Sequence, residues 1–156
     1  MSIPIAISGT DLIGQARTGT GKTLAFGVSA LQRIVLPGDE GWTQSGSRLP
    51  QALVMCPTRE LALQVSRDID TAARVRGARV LTVYGGVGYD SQIDALKRGV
   101  DVVVGTPGRL LDLVGRRDLN LTSCSIVVLD EADEMLDLGL LPDVEKLLGH
   151  CPTSRQ

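Results

Sequence analysis

The segment Ala16-Arg17-Thr18-Gly19-Thr20-Gly21-Lys22-Thr23 holds residue types that can bind a polyphosphate. Gly19 and Gly21 let the backbone curl around an anion without Cβ clashes. The N–H groups of Ala16, Thr18 and Thr20 can converge on phosphate oxygens, and a helix starting there adds a favourable dipole. Lys22 can reach the β- and γ-phosphates, and the Thr23 hydroxyl suits Mg²⁺. This is the phosphate-loop spacing, with Ala16 in place of its first glycine. A Gly/Thr-rich turn ahead of a helix would give similar letters. The strand pattern before it, the helical pattern after it and the adjacent Lys-Thr favour the phosphate cradle.

Far downstream, the apolar run Val127-Val128-Leu129 ends in Asp130-Glu131-Ala132-Asp133. An apolar strand ending in two acids is the complementary half of a phosphate-loop nucleotidase. Asp130 can hold Mg²⁺ through water, and Glu131 can orient or deprotonate an attacking water. Mg²⁺ suits such sparse oxygen ligation because it gives up its own waters reluctantly. Acids also favour the first turn of a helix for electrostatic reasons alone. Occurring together with a phosphate loop, the pair points to chemistry.

The tetrad Asp130-Glu131-Ala132-Asp133 resembles the signature of DEAD-box RNA helicases. Over essentially its whole length the chain is similar to their first RecA-like domain, in its bacterial RhlE-type form. Pro57-Thr58-Arg59-Glu60-Leu61 resembles the family's motif Ia, Gly85-Gly86 its paired glycines, and Thr106-Pro107-Gly108-Arg109 its motif Ib. The resemblance implies that Pro57, Thr58, Arg59, Gly85, Gly86, Thr106, Pro107, Gly108 and Arg109 line an RNA face. It implies that Lys22, Asp130 and Glu131 serve catalysis on ATP with Mg²⁺, and that Asp133 couples the domain to a second RecA-like domain. Chemistry agrees with these roles. Thr58 can cap a helix and leave N–H groups for phosphate, Gly85-Gly86 lets a backbone come close, and Arg109 carries a forked donor. Donors of this kind read no base edge, so binding should ignore sequence. Singly, each motif is also an ordinary helix start or turn; three in family order between two nucleotide motifs are not.

The resemblance also sets the expected domain content. Residues 1–156 would be a partial RecA-like domain, with an adenine-reading Q motif ahead of Met1. A Ser-Ala-Thr motif and a second RecA-like domain with its arginine finger would follow Gln156. The parent would hydrolyse ATP to separate short RNA duplexes. Two alternatives remain open on the sequence: a nucleotide- or RNA-binding module without turnover, and another phosphate-loop ATPase such as a DNA helicase.

These residues need a scaffold that brings them to one edge. Strand patterns fall at Asp11–Gly14, Ala52–Cys56, Val80–Tyr84, Asp101–Val104 and Ile126–Leu129, mostly apolar on both faces as in a buried parallel sheet. Amphipathic helical faces alternate with them: Leu24, Val28, Leu31, Val35; Leu61, Val65, Ile69, Ala72; Leu140, Val144, Leu147, Leu148. The expected fold is therefore α/β. It is a RecA-like three-layer domain of the P-loop NTPase type, with a mostly parallel sheet flanked by helices and its ligands at the carboxyl ends of the strands.

Composition sets limits on this reading. Hydrophobic residues make up 43% of the 156 and the net charge is −2, so no global basic field advertises a polynucleotide partner. Local donors must do that work. Cys56, Cys124 and Cys151 have no zinc-pair spacing and read as core thiols, suited to a cytoplasmic protein. No membrane span or signal peptide is expected. The stretch Pro37–Pro50 reads as an exposed, mobile loop.

Overall fold

The computed structural model describes residues 20–42 and 48–156. The expected strand Asp11–Gly14 lies outside them. Among the described residues four strands form one sheet: β1 (Ala52–Met55), β2 (Val80–Val83), β3 (Val102–Gly105) and β4 (Ile126–Leu129), in the order β2-β3-β1-β4 with every pair parallel. All residues of the two central strands, β1 and β3, are buried. This is why both read as unbroken apolar runs rather than alternating ones. The flanking strands β2 and β4 are partly exposed. On the outer side of β4, the Gln156 N–H donates to Ser125 O at 2.7 Å, and the Val127 N–H donates to Gln156 O at 2.8 Å.

Among the described residues six helices accompany the strands: α1 (Thr20–Arg33), α2 (Arg59–Arg76), α3 (Asp90–Arg98), α4 (Pro107–Gly115), α5 (Ala132–Asp137) and α6 (Leu141–Gly149). Successive strand side chains point to opposite faces, and the core divides accordingly. Ala52, Val54, Val102 and Val104 pack with Ala30, Leu31 and Ile34 from the α1 side and with Val65 and Ile69 of α2. Leu53, Met55, Val83 and Val103 pack with Leu110 and Leu113 of α4, Met135 of α5, and Val144 and Leu147 of α6. The result is the expected three-layer α/β arrangement.

The predicted α2 and α6 faces are close to those observed. The α1 face is rotated: Leu31 is buried, but Val28 and Val35 are only half-buried, and the inward row is Gly27, Ala30, Leu31 and Ile34. Small residues turn inward because α1 crosses α2 closely; a Cβ at Gly27 would sit 3.3 Å from Ile69. The Pro37–Pro50 segment is exposed through 37–41 but pinned at its ends. Asp39 accepts from the Leu36 N–H at 2.9 Å and pairs with Arg76 at 2.8 Å. Gln51 both donates to and accepts from the Val35 backbone, at 2.6 and 2.9 Å. Trp42 is half-buried, and residues 43–47 lie outside the described residues.

Below the sheet, fully buried Asp101 accepts two hydrogen bonds from Arg48, at 2.7 and 2.6 Å, and one from the Arg79 N–H at 2.7 Å. This junction ties the chain entering β1, β2 and β3 together at their amino ends and leaves the opposite edge for the site.

Candidate functional site

The parallel register aligns the carboxyl ends of all four strands. Met55 is level with Gly105 and Leu129, and Val83 is level with Gly105. Three further bonds carry the alignment one step out: Cys56 N–H to Gly105 O at 2.9 Å, Thr106 N–H to Val83 O at 3.0 Å, and Asp130 N–H to Met55 O at 3.0 Å. The motifs after β2, β3, β1 and β4 therefore stand side by side, in that order. Gly85-Gly86, Thr106–Arg109 and Pro57–Arg59 are contiguous, and Asp130-Glu131 follows on the next strand.

Each loop has a local cause. Thr58 is extended (φ −130°, ψ 154°) and its side chain accepts from the Leu61 N–H at 3.2 Å, the cap expected from sequence. The N–H groups of Arg59 and Glu60 belong to the first helical turn and have no intrahelical acceptor. Pro57 is buried and Arg59 exposed, with the Arg59 guanidinium 4.7 Å from the Tyr84 ring centre. After β3, Thr106 precedes α4 without a side-chain cap bond, and Pro107 occupies the first turn, where its missing N–H costs nothing. Gly105 must be glycine: an added Cβ would lie 2.7 Å from Val83 O and 3.0 Å from Leu110. Gly86 has φ +81°, a conformation most side chains resist.

Arg109 is more engaged than its exposed sequence context suggests. It donates to Gln92 Oε1 at 3.2 Å and to Val87 O at 2.8 Å, and its guanidinium stacks 4.1 Å from the Tyr89 ring centre. Arg116 covers the same ring at 4.3 Å, and the Tyr89 hydroxyl donates to Asp112. That hydrogen bond is the main reason the phenol is held above its ordinary value of 10.0; desolvation and the Asp112 charge add to it. Gln92, Tyr89, Tyr84 and Asp112 were not singled out by the sequence reading. Its one available hint is that the chain's only two tyrosines flank the paired glycines.

Asp130 is buried at the end of β4, and Glu131 follows it in the left-handed region, at φ 58°, ψ 50°. Asp133 is exposed on α5. Ala16, Thr18 and Gly19 lie outside the described residues, as do the side chains of Thr20, Lys22 and Thr23. The backbone of Thr20, Gly21, Lys22 and Thr23 forms the first turn of α1. Among the described residues no group of three or more His, Cys, Asp or Glu side chains could hold a metal. The buried Asp130 carboxylate offers the sparse oxygen ligation that suits a hard cation which keeps its waters, as Mg²⁺ does. The cysteines are buried core thiols, as expected. A hydrogen bond with Cys151, followed by burial, pushes Cys124 far up and keeps it neutral. A hollow of about 540 Å³ lined by Arg79, Val80, Ala95, Arg98, Gly99 and Val100 sits at the amino ends of β2 and β3, away from every motif. No described helix is long and apolar enough to cross a membrane.

Known proteins share this arrangement. The family model described as DEAD/DEAH box helicase matches residues 1–156. The DEAD-box ATP-dependent RNA helicase CshA of Streptococcus pneumoniae is 47% identical over 155 residues, 99% of this chain and 28% of that protein. The ATP-dependent RNA helicase RhlB of Haemophilus influenzae is 43% identical over 152 residues, 97% of this chain and 36% of that protein. A DEAD box protein of Methanococcus jannaschii has a solved structure that superposes with a TM-score of 0.86 at 36% identity, covering 99% of this chain and 40% of that one. A hypothetical ATP-dependent RNA helicase of Sulfolobus tokodaii superposes at 0.82, also at 36% identity, over 99% of this chain and 41% of that one. The chain thus spans well under half the length of these relatives. They bear on the family and not on the RhlE-type subgroup. With the motifs in order, the strand ends aligned and the match running from end to end, the chain belongs to the DEAD/DEAH box helicase family.

Proposed function

We propose that this chain is the ATP-binding RecA-like half of a cytoplasmic RNA helicase. In this reading it binds ATP with Mg²⁺ beside β4 and the RNA backbone across the ends of β1, β3 and β2. Its hydrolysis separates RNA duplexes when a second RecA-like domain closes on it. The observation that carries the reading is the strand order. Three loops rich in backbone donors stand together, and the acid pair stands on the adjacent strand, so two ligands can lie side by side on one edge.

Within this reading Lys22 neutralises the β- and γ-phosphates, and Glu131 takes a proton from the attacking water. Asp130 and Thr23 would hold Mg²⁺, which when bound offsets the charge of the phosphate oxygens. The first-turn N–H groups of α2 and α4, Arg59 and the Gly85-Gly86 backbone offer donors to RNA phosphates, with Thr58 and Pro107 fixing the two helix starts. Arg109, with two of its five donors already committed within the protein, adds its remaining donors. Asp133, exposed on α5, faces the second domain and transmits its closure.

The test is an ATPase assay on the full-length protein with single-stranded RNA, with single-stranded DNA and with neither. Turnover stimulated by RNA but not by DNA, with strand separation of a short RNA duplex, is expected. Equal stimulation by DNA would favour a DNA helicase, and nucleotide binding without turnover would favour a binding module.

A further inference from the structure

Gln92 is 4% exposed, unusually buried for an amide, and both ends of that amide are used. Its Nε2 donates to Tyr84 O at 3.2 Å, and its Oε1 accepts from Arg109 at 3.2 Å. Arg109 in turn donates to Val87 O at 2.8 Å. Gln92 and Arg109 therefore hold two carbonyls of the loop after β2, one on either side of Gly85-Gly86. In a planar trans peptide the carbonyl and the following N–H point in opposite directions. With the carbonyls of Tyr84 and Val87 drawn inward, the N–H groups of Gly85 and Gly88 are turned outward. Both glycines are exposed, and a Cβ added at either would meet no described atom within 4 Å.

We propose that Gln92 is a positioning residue for polynucleotide binding: by pinning the Tyr84 carbonyl and steadying Arg109 on the Val87 carbonyl, it aims the Gly85 and Gly88 N–H groups at RNA phosphates. This rests on the RNA-binding reading above and extends it to Gly88, Gln92 and the buried face of the loop. Nothing in the device reads a base. It exploits the rigidity of the peptide unit to set two donors in advance, which lowers the ordering cost of binding.

The experiment compares the full-length protein with Gln92→Leu and Gln92→Glu, using a fluorescent oligouridylate across a range of salt. Gln92→Leu removes both bonds and should weaken binding about tenfold, as loss of a charge-assisted hydrogen bond does. Gln92→Glu keeps the acceptor for Arg109 but loses the donor to Tyr84, and should weaken binding less. The salt slope should stay unchanged, because a backbone N–H displaces no counterion. ATP affinity without RNA and the melting transition report on folding, and Gln92→Glu stands in if the leucine variant does not fold. Unchanged affinity in folded variants, with the parent binding RNA, would overturn the inference and leave the RNA reading intact. A slope lower by about 0.7, one single-strand phosphate contact, would place the effect in the Arg109 charge and overturn the carbonyl mechanism. A parent protein that binds no RNA would overturn the reading and the inference together.

Discussion

Glu131 holds a left-handed backbone, φ 58° and ψ 50°, directly after a buried aspartate. For a residue other than glycine this conformation costs about 1–3 kcal/mol, and such strain gathers at functional sites. The bend sends the chain from β4 into α5 without extending the strand, leaving the two acids at the sheet edge. In the full-length protein, Glu131→Gln should leave ATP affinity unchanged and reduce turnover about 10²–10⁴-fold, the usual worth of a general base. Nucleotide titration and steady-state ATPase assays check this; normal hydrolysis would remove Glu131 from its role. At Tyr89 the Asp112 hydrogen bond raises the phenol above its ordinary value. The folded state then retains a proton that the unfolded chain gives up, so this contribution to stability is complete below about pH 10. It is lost as pH rises through the raised value. Ultraviolet titration should show one tyrosine ionising late, and Asp112→Ala should bring it back toward its ordinary value. Asp130 and Glu131 were legible in sequence because the acids and their strand are contiguous. Gln92 was not, since one of its partners follows β2 and the other lies on α4.

At the scale of elements, close contacts between strands and helices hold the site level. Gly105 ends β3 with Val83 O on one side and Leu110 on the other. Gly105→Ala should cost about 1–3 kcal/mol through overpacking. That would lower the thermal midpoint by about 2–4 °C for each kcal/mol lost, and an unchanged melt would show that β2 and α4 can yield. At the other end of the sheet, Asp101 is fully buried and Arg48 nearly so. Asp101→Ala leaves the largely buried Arg48 guanidinium with only its long bond to Gly77 O, and the Arg79 N–H without its acceptor. The expected loss is about 3–5 kcal/mol, read by denaturant unfolding, with nucleotide binding retained in whatever fraction folds. Sequence periodicity placed α2 and α6 well because their apolar faces are wide. It misplaced the α1 face because Gly27 and Ala30 carry little hydrophobic signal, although their small size is what lets α1 approach α2.

At the scale of the molecule, the chain covers 28% of the pneumococcal CshA and 36% of the Haemophilus RhlB it resembles. Residues 1–156 expressed alone should therefore turn over ATP far more slowly than the full-length protein, with or without RNA. The arginine finger implied by the resemblance is worth about 10³–10⁵ in rate in related phosphoryl transfer, and clamping RNA takes two domains. RNA-stimulated turnover by residues 1–156 at the full-length rate would show that one domain suffices. Sequence by itself determined the class of fold and the family, through the alternation of strands and helices, the phosphate-loop spacing and the apolar strand ending in acids. These are local signals, carried by residues adjacent in the chain or one helical turn apart. Tertiary structure alone decided that the order β2-β3-β1-β4 sets the three backbone-donating loops side by side and the acid pair beyond them. It also decided that Gln92 and Arg109 hold the Tyr84 and Val87 carbonyls on either side of the paired glycines. Strand order depends on which apolar faces pack together across the whole sheet. A hydrogen bond from Arg109 back to Gln92 or Val87 exists only once the segments after β2 and β3, separate in sequence, have been brought to the same edge.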